Sequence, residues 1–423
     1  MLNIDFICQH PQVVREALHK RRDPHTIDEI LRLSEQRRGL VTRCDGLYTS
    51  LKALKEGARQ KTGARRVTQD PQAKAITHDI RQLEMQITDI AARLHPLLLN
   101  LPNLPHQSVP EGEDAQGNVE VRAWGEPLPF HFQPRTHWDL GVQLGMIDAE
   151  SGTKIAGSRF VTLKGAGARL ERALISFMLD VHTREHGYTE ILPPLLAKRT
   201  VMIGAGQLPK FESQVYSSSE DELYLNPTAE VPLVGMHSDS ILPPGTLPLR
   251  YVAWTTAFRR EAGSTSRQVG GLLRLHQFNK VELFQYVAPQ DSYATLQQMQ
   301  WHAERILQYL ELPYRVVELC TGNLPFASAQ TFDLEVWMPG QGSYIEVSSL
   351  SNCEAFQARR ANIKYRPSQS GHADYVHTLN GAGLAVGRTM AAILETYQQA
   401  DGSIIVPKVL RPYVQTSLLT SPV

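Results

Sequence analysis

The chain has 423 residues, 42% of them hydrophobic, and its 43 Lys+Arg balance 43 Asp+Glu. That length exceeds what one hydrophobic core organises and suggests two or three domains. No stretch of roughly 18 apolar residues is present to span a membrane, and Met1 to Arg15 carries Asp5 and no signal-like apolar run, so a soluble, untargeted, cytoplasmic protein is expected. Cys8, Cys44, Cys320 and Cys353 lie far apart without CxxC spacing, which suits buried, inert, reduced thiols better than disulfides or a structural zinc site.

In chain order, Ile30, Leu33, Leu40, Cys44, Leu47, Leu51 and Leu54 recur at three-then-four spacing, with Arg37 in one expected place. After Gly57 and Gly63 the alternation resumes at Ala73, Ile76, Ile80, Leu83, Ile87, Ile90, Leu94 and Leu97, and ends near Pro96, Pro102 and Pro105. Two heptad seams joined by a glycine-containing turn predict an antiparallel helical hairpin. A helix of about 28 residues extends roughly 40 Å, which carries the turn far from whatever bears the arm. The charge is local: residues 1–110 hold 17 Lys+Arg against 12 Asp+Glu, and the remainder holds 26 against 31. Lys52, Lys55, Arg59, Lys61, Arg65, Arg66 and Lys74 face only Glu56 and Asp70, and account for that surplus. Such a patch attracts phosphates, although a solvated tip on a dimerising coiled coil would carry the same charges.

Pro, Gly and acidic residues between Leu101 and Pro134 read as a linker, so the expected domains are 1–110, a helical arm, and 111–423. Beyond it, a helical pattern at Ala168 to Glu185 and β-rich runs at 248–258, 272–287 and 343–349 predict an α+β fold with a mainly antiparallel sheet. Residues 254–286 read as a long hairpin around a Gly/Ser/Ala loop. Strand alternation places Arg259 with Glu261, and Arg274 with Phe278 and Glu282. Two guanidinium groups, carboxylates and a ring can hold a nucleotide: forks match phosphate oxygens, and a ring offers a stacking plane. An exposed polar sheet face would alternate in the same way.

The hairpin resembles motif 2 of class II aminoacyl-tRNA synthetases, an FRxE followed by RxxxFxxxE, here Phe258, Arg259, Arg260, Glu261, then Arg274, Phe278 and Glu282. GAGLAVGRTMAAILE at 381–395 resembles motif 3, and residues 167–196 resemble motif 1, the helix and strand that build the family's dimer interface. NPTAEVPL at 226–233, HQFNKVELF at 276–284, EVSSLSNCEAFQARR at 346–360 and HTLNG at 377–381 resemble bacterial seryl-tRNA synthetases, and the basic hairpin resembles their tRNA-gripping arm.

The resemblance implies ATP-dependent attachment of L-serine to tRNA(Ser), and to tRNA(Sec), by a homodimer whose class II antiparallel sheet is flanked by helices. It implies that Arg259 meets the ATP α-phosphate and Arg388 the γ-phosphate, as catalytic residues. Glu261 and the Leu275 backbone would read adenine, Phe278 would stack on it, and Arg260, Val347 and Ser348 would complete the nucleotide set. Glu346 and Ser349 would hold Mg2+, a spacing of three that needs a bulge or a strand end. Thr228 and Glu230, read as facing one way along a strand, would receive the serine ammonium beside Ala229, and Glu282 would meet the hydroxyl. Lys52, Lys55, Arg59, Lys61, Arg65 and Arg66 would meet tRNA.

Two departures stand out: Ala382, where relatives commonly carry a hydroxyl, and Arg267 to Gly271, where KDTRG is common. Either could mark altered selectivity, and a ligase activating alanine or glycine for a carrier protein is the nearest alternative, although that class lacks the arm. The zinc-dependent seryl enzyme is disfavoured, because no cysteine stands near Thr228 to Glu230. Gly381, Gly383, Gly387 and Asp401 suggest a dinucleotide fold, but too few residues follow for its remaining strands.

Overall fold

The two heptad seams pair as helices. The computed structural model describes residues 1–62, 70–262 and 271–421, with backbone alone at 58–62. Two short helices, α1 (Ile4–Gln9) and α2 (Pro11–Lys20), precede α3 (Asp28–Thr62) and α4 (Pro71–Asn100). Cys44, Leu51, Ala73, Ile80 and Leu83 form a shared buried seam. The pair is antiparallel: Glu29 early in α3 accepts from Arg93 late in α4 at 3.3 Å, and Tyr48 donates to Glu84 at 2.6 Å. The Asp70 side chain caps α4 by accepting from Gln72 N, with Pro71 at the first helical position, where its missing N–H has no intrahelical partner to lose.

The second helix of the pair ends within the expected span of Pro96 to Pro105. α4 runs through Pro96 to Asn100, because burial of Leu98 and Leu99 on the next turn outweighs the one backbone bond that proline removes. Cys8 departs from the expected set of buried thiols: it is exposed on α1, whose buried position is Ile7, whereas Cys44, Cys320 and Cys353 are buried.

The chain divides into two compact units, Met1–Pro102 and Asn103–Val423. From Asn103 onward, the segment read as a linker is integral to the second unit. Asn103 Nδ2 donates to the carbonyls of Ala327 and Cys353 at 3.0 Å each, and Val119–Trp124 forms β1, a strand of the main sheet. Pro and Gly here shape turns on the surface of a domain, a use that composition cannot distinguish from free connection.

The main sheet adds β2 (Thr189–Glu190), β3 (Leu249–Phe258), β4 (Gln277–Val287), β5 (Tyr314–Glu318), β6 (Gln330–Met338), β7 (Ser343–Asn352) and β8 (His377–Ala385), in the order β1-β5-β6-β7-β8-β4-β3-β2. Its pairings are antiparallel except β2 with β3. Helices α5 (Ala166–Arg184), α7 (Ser292–Tyr309) and α9 (Val386–Thr396) share a core with Val281 and Leu283 of β4. Phe284 and Tyr286 point the other way, into a second cluster with Val231, Leu233 and Val234 of α6 (Glu230–Gly235) and with Ala358 and Ala361 of α8 (Phe356–Ala361). Along β4 the even positions before Phe284 therefore open on the side away from the three helices. Those positions are Phe278, Lys280 and Glu282.

β8 lies close against β7 at Gly381, where a Cβ would stand 2.9 Å from the Leu350 Cα. Gly381→Ala is expected to lose about 1–3 kcal/mol through overpacking. Thermal unfolding of the variant would read this as a lowered Tm, and an unchanged Tm would refute the close approach.

Candidate active site

The hairpin of β3 and β4 ends in an irregular rung. Arg259 N donates to the His276 carbonyl at 2.9 Å, and His276 Nδ1 donates back to the Arg259 carbonyl at 2.9 Å. β3 stops at Phe258, so strand alternation does not place Arg259 and Glu261. Glu261 instead adopts φ +50°, and Arg274 leaves a 3₁₀ turn, Gly271–Leu273, ahead of β4. The loop still delivers the expected convergence: Arg274 Nε donates to Glu261 Oε2 at 2.6 Å. Arg259 Nε donates to the Pro227 carbonyl at 3.1 Å, and its guanidinium lies 5.3 Å from the Phe278 ring centroid. Burial is the larger influence on Arg259 and lowers its pKa, opposed by Glu261 and abetted by Arg388. A guanidinium stays charged through such a shift.

At the other end, the fully buried Glu282 forms an ion pair with Lys280, and its Oε2 accepts from Thr228 Oγ1 at 3.2 Å. Its Oε1 is buried and has no hydrogen-bond partner among the described residues. Thr228 and Glu230 do not lie on a strand, contrary to the sequence-based expectation. Thr228 sits in a turn where its N–H reaches Asn226 Oδ1 at 2.9 Å, and Glu230 opens α6. A proline at 227 and the Asn226 side chain bend the chain here, so both residues reach the same region by a turn. Burial, then the charge of Glu282, raises Glu230 from 4.5 to about 7, against the pull of Lys280, Gln357 and Arg259. Gln357 Nε2 donates to Glu230 Oε1. Ala382 stands opposite Glu282 in the β4–β8 register and offers only a methyl group.

The third wall is β7. Its pairing with β6 shifts register between Ser348 and Glu346, the bulge that the spacing of Glu346 and Ser349 demanded. Both side chains therefore border the cavity, while Ser348 turns inward and donates to the Ala382 carbonyl at 2.5 Å. Arg388 Nη1 donates to the Glu346 carbonyl at 2.8 Å and lies 3.2 Å from Glu346 Oε1. Behind them, burial and the charge of Glu346 push the Asp333 carboxyl well above its usual range.

These walls enclose a cavity of roughly 460 Å³ within Asn103–Val423. It brings together Arg259, Glu261, Leu275, Phe278, Glu346, Val347, Ser349 and Arg388 with Glu230, Glu282 and Ala382. Thr228 bears on it through Glu282, and Ala229 is buried outside its lining. Arg260 also stands outside, donating from Nε to the Val215 carbonyl at 3.0 Å over the Tyr216 ring. Lys280, Asn380 and Gln357 belong to this site or its support and were missed. For Lys280 the signal was present, since it falls midway between Phe278 and Glu282 at strand spacing; for Gln357 no local pattern points to Glu230. Lys52 and Lys55 are exposed on α3, the side chains of Arg59 and Lys61 are not described, and Arg65 and Arg66, like Arg267 to Gly270, lie outside the described residues.

Comparison with known proteins bears on the same two units. Residues 210–397 match the tRNA synthetase class II core domain (G, H, P, S and T), and residues 1–105 match the seryl-tRNA synthetase N-terminal domain. A serine–tRNA ligase from Thermodesulfovibrio yellowstonii is 49% identical, with 98% of this chain and 99% of that protein covered. One from a Geobacillus species is 50% identical, with 98% of each covered. Among solved structures, seryl-tRNA synthetase from Pyrococcus horikoshii complexed with ATP has a TM-score of 0.93 at 36% identity, with 100% of both chains covered. The cytoplasmic serine–tRNA ligase of Naegleria fowleri in complex with AMP has a TM-score of 0.86 at 28% identity, covering 100% of this chain and 99% of that one. With two arginines and a ring at one end of the cavity, buried carboxylates at the other, and an arm and core that both match over nearly their whole lengths, the chain belongs to the seryl-tRNA synthetase family.

Proposed function

We propose that the protein attaches L-serine to tRNA(Ser) in two steps, forming seryl-adenylate from serine and ATP and then passing the acyl group to a terminal ribose hydroxyl. The observation that carries this reading is the single cavity in which Arg259, Phe278 and Arg388 face a buried end built on the carboxyl groups of Glu230 and Glu282. The serine carboxylate is already ionised, so the first step needs no general base. It attacks the α-phosphorus as pyrophosphate leaves, and positioning and charge neutralisation supply the rate. Arg259 neutralises the α-phosphate, Arg388 the γ-phosphate, and Phe278 stacks on adenine, with Glu261 and the Leu275 backbone at its edge. Glu230 receives the serine ammonium beside Thr228, and the unpartnered Glu282 Oε1 accepts from the serine hydroxyl.

Glu346 and Ser349 offer oxygen ligands only, and among the described residues no group of three or more His, Cys, Asp or Glu side chains is arranged for a metal. That donor set fits Mg2+, which takes few protein ligands and completes its shell with phosphates and water. When bound there, the ion adds positive charge against the triphosphate. Glu346 is held ready by Arg388, and Ser349 by the bulge.

The reading extends to a cytoplasmic homodimer that also serylates tRNA(Sec). Among the described residues no helix is long and apolar enough to cross a membrane. ATP–pyrophosphate exchange with serine, alanine, glycine and threonine in parallel, followed by charging of tRNA(Ser), tests the activity. Preference for alanine, or adenylation without charging, would overturn it. For the arm, Lys52→Ala with Lys55→Ala is expected to weaken tRNA binding and to reduce the slope of log affinity against log salt by about one per lysine. An unchanged slope would place tRNA elsewhere.

A further inference from the structure

Helix α9 carries two residues that reach the same turn by different routes. Arg388 Nε donates directly to the Leu273 carbonyl at 3.2 Å, at the end of the 3₁₀ turn Gly271–Leu273. Glu395, seven positions on and fully buried, reaches the turn through His137, the first residue of the helix His137–Gln143. His137 Nδ1 lies 2.7 Å from Glu395 Oε1, and His137 Nε2 lies 3.3 Å from Leu272 N. A backbone N–H can only donate, so Nε2 is the acceptor and Nδ1 carries the hydrogen directed at Glu395. Gly271, at φ +74°, fits tightly here: a Cβ on it would stand 2.5 Å from His137 Nε2. Immediately downstream, Arg274 and Leu275 line the nucleotide end of the cavity, and Arg274 holds Glu261.

We propose that His137 is a positioning residue for ATP: it ties the Gly271–Leu273 turn to Glu395 and so sets where Arg274, Leu275 and Glu261 meet the base. The proposal rests on reading the cavity as an ATP site. Loss of the imidazole severs this tie without orphaning a buried charge, because Glu395 keeps the N–H groups of His137, Gly340 and Gln341 at 2.9, 2.8 and 3.2 Å.

The test is calorimetric titration of the full chain with ATP, without amino acid, for His137→Asn, His137→Gln and Gly271→Ala. Gln carries an amide oxygen to where Nε2 stands and retains an acceptor for Leu272; Asn is too short and can serve only Glu395. His137→Asn and Gly271→Ala are expected to raise the ATP Kd about fivefold, and His137→Gln to stay within about twofold, as loss and retention of one hydrogen bond imply. In pyrophosphate exchange the KM for ATP should rise while the KM for serine does not. Equal losses in the Asn and Gln variants, equal shifts for ATP and serine, or unchanged ATP affinity throughout would each overturn the proposal. Gly271→Ala perturbs the same contact from the opposite side and decides the question should His137→Asn fail to fold. A wild-type chain that binds ATP yet shows no serine-dependent exchange would defeat the proposed activity, and the calorimetry would still decide the role of His137.

Discussion

Arg259→Ala is expected to lower serine-dependent pyrophosphate exchange by on the order of 10³-fold, because one preorganised donor aimed at developing charge contributes that much in a desolvated site. The guanidinium is held on two sides, by the Pro227 carbonyl and by the Phe278 ring, so it has little freedom to lose when a phosphate arrives. Arg259→Lys should restore little, since an ammonium neither forks around phosphate oxygens nor lies flat on the ring. Circular dichroism would confirm that both variants fold. Exchange at the wild-type rate in folded Arg259→Ala would sink the assignment of the α-phosphate contact.

The second large effect is a dependence on pH. With the Glu230 carboxyl raised to about 7, the group takes up a proton as pH falls through that value and loses the charge that would receive an ammonium. The kcat/KM for serine is therefore expected to be level above pH 7 and to fall about tenfold per unit below it, reporting the free enzyme. Glu230→Gln should abolish this acid limb and sit low throughout. The stability linkage has the opposite sense. A carboxyl whose pKa is raised in the folded state holds its proton longer there than in the unfolded chain, so its contribution to stability declines as pH rises from 4.5 through 7. Above pH 7, Glu230→Gln should consequently melt at a higher temperature than the wild type, although it is less active. An acid limb that persists in Glu230→Gln would assign the titration to another group.

How far such sites can be read from sequence depends on how local their causes are. The arm was legible because a heptad seam is its own partner: Cys44 and Leu51 on α3 and Ile80 and Leu83 on α4 bury the face that spacing alone defines. Phe278 and Glu282 were placed correctly on one face for the same reason, since alternation along β4 is a property of the strand. The same argument failed one turn away. Arg259, Glu261 and Arg274 lie beyond strand ends, and Thr228 and Glu230 lie in a turn and a helix, so their convergence owes nothing to strand period. Motif resemblance found these residues where periodicity could not.

The amino-acid sequence by itself determined the helical arm, the antiparallel α+β core and the arginines, carboxylates and ring that line the cavity, because helix and strand periods and short motifs are encoded in neighbouring positions. Tertiary structure alone decided the rest. It made the expected linker part of the catalytic unit, kept α4 running through Pro96, and turned Ser348 away from the cavity while the bulge turned Glu346 and Ser349 toward it. It also brought Gln357 to Glu230, and His137 to both Glu395 and Leu272, across long separations in the chain. Such contacts join positions more than a hundred residues apart, and burial, which raises Glu230 to about 7, exists only once the chain has closed around it.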